Sequence, residues 1–168
     1  MFKKCIFILA TSCMMYSCTT QTETNPFLSE FQTEHGVPPF DKIKLEHYEP
    51  AFLKGIEEQN ANIDAIVTNS EAPTFENVIV ALDNSAPILD RVSAIFYNMT
   101  DAEKTPGLNE LSIKIAPTLS EHSDNISLNQ ELFKKVNAVY QQKESLKLTT
   151  EQAVSYTHLR AHETCADL

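Results

Sequence analysis

The sequence predicts an all-α protein, and three observations carry that expectation. Glycine occurs only three times in 168 residues, which leaves few positions for tight hairpins and left-handed turns. Apolar residues recur at three- and four-residue spacing through the middle of the chain. No stretch alternates apolar and polar as a half-buried strand does, and there is no internal repeat and no Gly-rich phosphate loop. Hydrophobic residues make up 42% and charged residues 21%, ordinary for one globular domain.

The first seventeen residues read as an export signal. Lys3 and Lys4 supply a short positive start, and residues 5–16 form an apolar run too short to span a bilayer comfortably. The stretch Met15-Tyr16-Ser17-Cys18 resembles a lipobox, in which Cys18 becomes the first mature residue and carries the lipid. Leu is more usual where Met15 stands. Cys13 is a second candidate, with a shorter apolar run before it, and a plain secretory signal is the alternative. Residues 18–25 are polar and suit a tether, and acyl chains on Cys18 anchor stably where a single chain does not. The expected location is the cell envelope or periplasm, membrane-bound through lipid. Residues 26–153 contain no cysteine, so no disulfide is expected there.

Losing Lys3 and Lys4 with the signal takes the net charge from −10 to −12. So acidic a chain is not expected to bind nucleic acid, which needs clustered Lys and Arg. The acidity serves solubility.

The elements follow in order. Residues 26–46 read as an extended lead-in, with Phe40, Ile43 and Tyr48 placed to dock on a helical body. A first long helix is expected over about 46–69, its start marked by Pro50 in the first turn. Its apolar face is Phe52, Ile56, Ile63, Ile66 and Val67, with Lys54, Glu57, Glu58 and Asn62 on the opposite face. "TNSEAP" ends it.

Thr74 caps a second helix with Glu76 in its first turn. Pro87 predicts a kink or break within it, after which Ile88, Leu89, Val92, Ile95 and Phe96 carry helix to about Met99. Thr105-Pro106 starts the next helix, lined by Leu108, Leu111, Ile115 and Leu119, with a kink expected at Pro117. "DNISLNQE" reads as a link, with Asn129 capping a helix whose apolar side is Leu132, Phe133, Val136, Val139 and Tyr140. Thr149 and Gln152 stand at capping-box spacing for one more helix start.

Candidate chemistry is sparse. His158 and His162 would share a helical face, as zinc ligands do. The zinc-protease pattern His-Glu-x-x-His nevertheless fails in both frames: Ala166 stands where the second His is needed after His162, and Leu159 stands where Glu is needed after His158. His35, His47 and His122 are scattered, and each is read as a helix-end or surface residue. Glu57-Glu58 reads as solvated surface. Two glycosylation-like sequons, at Asn98 and Asn125, are incidental beside a bacterial lipobox. The residues alone therefore give an exported, lipid-anchored helical domain without a recognisable active site.

Three stretches carry more: "PPFDKIKLEHYEPAF" (38–52), "EAPTFENVIVALDNSAPILDRVSAIFYNMTDA" (71–102) and "APTLSEHSDNISLNQELFKKVNAVY" (116–140). In this order they resemble the N-terminal region of bacterial peptidyl-dipeptidases, Dcp-like members of the thimet oligopeptidase family of zinc metallopeptidases. The resemblance covers about residues 26–153. It implies an almost wholly helical enzyme with a deep channel that admits short peptides and removes dipeptides from their C-termini. It implies zinc held by a His-Glu-x-x-His helix and a further Glu, with the motif Glu as general base. No residue of this chain matches those positions, so no catalytic or metal residue is assigned, and this chain itself is expected to bind no zinc.

The resemblance stops at about Ala153. Residues 154–164, "VSYTHLRAHET", instead resemble one translated frame of a transposase adapter used for sequencing libraries, and residues 154–168 are read as an artefactual tail. The chain is thus expected to be the incomplete, inactive front of a peptidyl-dipeptidase. The alternative is a naturally short, non-enzymatic helical lipoprotein acting as a binding or scaffold module.

Overall fold

A computed structural model of the chain describes residues 24–142. The signal, Cys13 and Cys18, nearly all of the tether, the helix start at Thr149 and the tail with His158 and His162 lie outside the described residues. Among the described residues every regular element is helical, as the composition and periodicity predict.

The lead-in is not simply extended. It forms two 3₁₀ turns, Pro26–Leu28 and Glu34–Gly36. The Asn25 side chain accepts from the Phe27 N–H (3.1 Å) and donates to the His47 carbonyl (2.7 Å). Arg91 Nη1 donates to the Phe27 carbonyl at 2.7 Å, and its guanidinium lies over the Phe31 ring. These bonds drive Phe27 into the core at 0% exposure, while Phe40, expected to dock, stays 53% exposed. Tyr48 is buried and Ile43 half-buried as expected.

Helix α1 spans Leu45–Thr68. Pro50 falls in its second turn, not its first. The Glu46 carbonyl thereby loses its helical N–H partner, but both residues are exposed and water can serve it. After "TNSEAP", Thr74 caps a π-helical segment, Phe75–Val80, that runs into the short α2, Ala81–Asp83. Thr74 Oγ1 accepts from the Asn77 N–H, and Asn77 Oδ1 accepts from the Thr74 N–H, a reciprocal capping box.

At Pro87 the chain breaks outright. Asn84–Ala86 is non-helical, and Pro87 becomes the first residue of α3, Pro87–Glu103, where no N–H is needed. Lys104 follows in the left-handed conformation. Helix α4, Pro106–Ser127, begins with Thr105 capping and Pro106 at its first position, as expected. It runs through Pro117 without interruption and continues over "DNIS". The expected eight-residue link therefore shrinks to Leu128 and Asn129. Ile126 gains a place against apolar neighbours by staying helical. Asn129 caps α5, Gln130–Tyr140, accepting from the N–H groups of Glu131 and Leu132.

These helices enclose two cores. The first gathers Phe27, Tyr48, Phe52, Val92, Phe96, Leu108, Leu111 and Ile115 from the lead-in, α1, α3 and α4. The second gathers Ile63, Ile66, Val78, Ile79, Leu132, Val136 and Val139 from α1, the π segment and α5. Each large apolar side chain removed from water contributes about 1.5–3 kcal/mol before entropy is counted. Helix α1 serves both cores along its length. Its tightest crossing is with α3 at Gly55, where a Cβ would stand 2.8 Å from the Leu89 backbone nitrogen.

Candidate functional site

The described histidines occupy three different settings. His35 is exposed in the second 3₁₀ turn, beside Glu34. His47 is buried at the start of α1, and its Nδ1 accepts the Lys44 N–H at 3.1 Å, so it acts as a capping residue. His122 does not end a helix. It sits inside α4, 7% exposed, with Nε2 2.7 Å from Gln59 Oε1. Burial pushes its imidazole below the ordinary histidine value.

Gln59 belongs to a polar seam that separates the two cores. Its Nε2 donates to Ser85 Oγ (3.1 Å), and Asn62 Nδ2 donates to the Ser85 carbonyl (2.7 Å). Ser85 is 1% exposed in the break between α2 and α3. One turn away, Glu58 accepts the Ile88 N–H at 3.3 Å, one of the free donors at the start of α3. The expectation that Glu58 is solvated surface is therefore wrong, and Asn62 shares its setting. Both are half-buried and tie the α2–α3 break to α1, whereas Lys54 and Glu57 form an exposed ion pair as expected. Helical spacing places these residues away from Phe52 and Ile63, but it cannot show that a chain break packs over them.

Asp90, in the first turn of α3, has its carboxyl pushed up by burial and then by the charge of Asp83. No described acid or base completes a catalytic pair with it.

A surface groove of about 710 Å³ runs between the first half of α1 and the start of α4. Leu45, Leu53 and Leu111 line its apolar floor, and Glu46 and Glu110 stand along it. Lys114 Nζ reaches both carboxylate oxygens of Glu49, at 2.6 and 2.8 Å. Gly107 lets α4 start against Leu45, since a Cβ there would meet Leu45 Cδ2 at 2.5 Å. The groove offers apolar contact with an acidic border but no nucleophile–base pair.

No protein-family model matches the chain. Among curated proteins, dipeptidyl carboxypeptidase of Escherichia coli (strain K12) is 41% identical over 130 residues, which are 77% of this chain. Over this stretch the chain belongs to the Dcp-like thimet oligopeptidase family. The dipeptidyl carboxypeptidase of Salmonella typhimurium is 40% identical over 128 residues, and oligopeptidase A of Escherichia coli is 30% identical over 111 residues, 66% of this chain. The chain spans 19% of the length of the two dipeptidyl carboxypeptidases and 16% of that oligopeptidase A.

A Dcp-like metal centre would need clustered ligands. Among the described residues no three His, Cys, Asp or Glu side chains gather to hold a metal ion, and the two buried histidines each engage a neighbour already. These residues do not fit a zinc site, so no chemical step is derived from one. Among them, too, no helix is long and apolar enough to cross a membrane.

Proposed function

We propose that this chain is the N-terminal helical part of a zinc-dependent peptidyl-dipeptidase that removes C-terminal dipeptides from short peptides. The zinc ligands and the general base lie in the protein beyond these 168 residues, and this chain alone is inactive. The observation that carries the reading is the 41% identity over 130 residues to a dipeptidyl carboxypeptidase. In this reading the matched stretch, whose helices pack around two cores, serves as helical wall. We further propose that Cys18 anchors the protein to a membrane of the cell envelope through lipid.

The test is to read the genomic frame beyond Ala153 and express the whole protein. Dipeptide release from a short N-blocked peptide, abolished by chelation and restored by zinc, is the expected result. A frame that stops at this length, or a complete protein that releases no dipeptide, overturns the proposal and favours a non-enzymatic helical lipoprotein. Labelling with radioactive palmitate should mark the exported protein, and Cys18→Ser should lose the label.

A further inference from the structure

We propose that His122 makes the contact between the two cores acid-sensitive, so that acid releases the second half of α4 and α5 while the aromatic core stays closed. Three observations meet at this residue.

The first is the hydrogen-bond chain. Gln59 donates its amide N–H to Ser85 Oγ, which turns its Oε1 toward His122. That oxygen can only accept, so Nε2 of the imidazole carries the proton in the neutral state. Protonation puts a second N–H on Nδ1 and a full charge on a ring that is 7% exposed.

The second is that no compensating charge acts on the ring among the described residues. Glu58 on α1 is engaged with the Ile88 N–H, and Ser85 at the α2–α3 break is neutral. Asp83 and Asp90 flank that break and act on each other. Glu121 and Asp124 beside His122 on α4 are exposed. On α5, Glu131 pairs with Lys134, and Lys135 donates to the Asn69 carbonyl. Burial alone displaces the imidazole from its ordinary value.

The third is a built-in place to bend. Pro117 has no N–H to give the Ile113 carbonyl, so α4 lacks a hydrogen bond one turn before His122. Beyond it, residues 118–127 connect to α5 through only Leu128 and Asn129, and Ile126 shares the second core with Leu132, Val136 and Val139. The part of α4 beyond Leu119 can leave α1 together with α5, whereas the first core holds α4 through the buried Leu108, Leu111 and Ile115, before Pro117, and through the half-buried Leu119 just beyond it.

The sign follows from the burial. A folded-state value below about 6.5 means that the opened state takes up the proton first, so the contact is at full strength above that pH and weakens as pH falls through and below it.

The test is amide hydrogen exchange of the 168-residue chain at pH 7.5 and 5.0, corrected for intrinsic exchange. Protection over Gln130–Tyr140 should fall about tenfold, while protection around Phe52 and Phe96 should change less than threefold. His122→Gln keeps an N–H for Gln59 but cannot charge, and should abolish the difference. Equal loss in both cores, no loss in either, or an unchanged pH response in H122Q overturns the proposal. If H122Q loses its helical circular dichroism, the unequal or equal response of the two cores in the unmodified chain decides the question alone.

Discussion

The two cores solve the same packing problem with different means. The first is aromatic: the Phe27 and Tyr48 rings lie 5.0 Å apart, Tyr48 and Phe96 5.2 Å, and Phe52 meets Phe96 edge-on at 5.3 Å. Three helices of 24, 17 and 22 residues frame it. The second is aliphatic, and apart from α1 its main supports are short: a six-residue π segment and the 11-residue α5. Short helices owe nearly all their stability to tertiary contact. The comparison teaches that one continuous helix, α1, can carry a robust region and a conditional one, with Gln59, Asn62 and Ser85 marking the boundary.

The comparison breaks first at the rings. Phe96→Ala removes a side chain with three ring contacts and no exposure, and should cost about 3–5 kcal/mol, seen as loss of the whole cooperative transition in urea. Leu132→Ala should cost about 2–5 kcal/mol by the same reasoning, but hydrogen exchange should place the loss in α5 and the π segment. If Leu132→Ala unfolds everything at once, the two cores are one cooperative unit. Gly55→Ala forces a methyl against the Leu89 backbone and should cost about 1–3 kcal/mol, lowering the thermal midpoint by circular dichroism. The smallest change, Asn129→Ala, uncaps α5 and should cost about 1 kcal/mol, visible as faster exchange in its first turn with no change near Phe52.

Much of this fold was legible because helix ends have local chemistry. Thr74, Thr105-Pro106 and Asn129 each cap where the sequence places them, since capping depends on residues within one turn. The errors share a different cause. Phe27 has no periodic neighbours to announce it, and its fastening runs through Arg91 and His47, distant in sequence, with the neighbouring Asn25 as the link to His47. "DNIS" looks like a link on propensity, but Ile126 finds apolar contact by staying helical. The π winding at Phe75–Val80 has no composition signal. The seam was missed because Glu58 and Asn62 look like surface on a helical wheel, and Ser85 covers them only after the chain turns back. Of function, the family was readable in three stretches of sequence, while the geometry of the described residues offers no catalytic pair to read.

Phe27 has a consequence for where the protein can sit. The core begins only a few residues after Cys18, and Asn25 is already fastened to the His47 carbonyl. Seven positions separate Asn25 from Cys18, a leash of at most about 25 Å at ~3.3–3.6 Å per residue. With the lipid proposed on Cys18, that leash would set the farthest distance at which Asn25, and the aromatic core fastened behind it, could stand from the membrane surface.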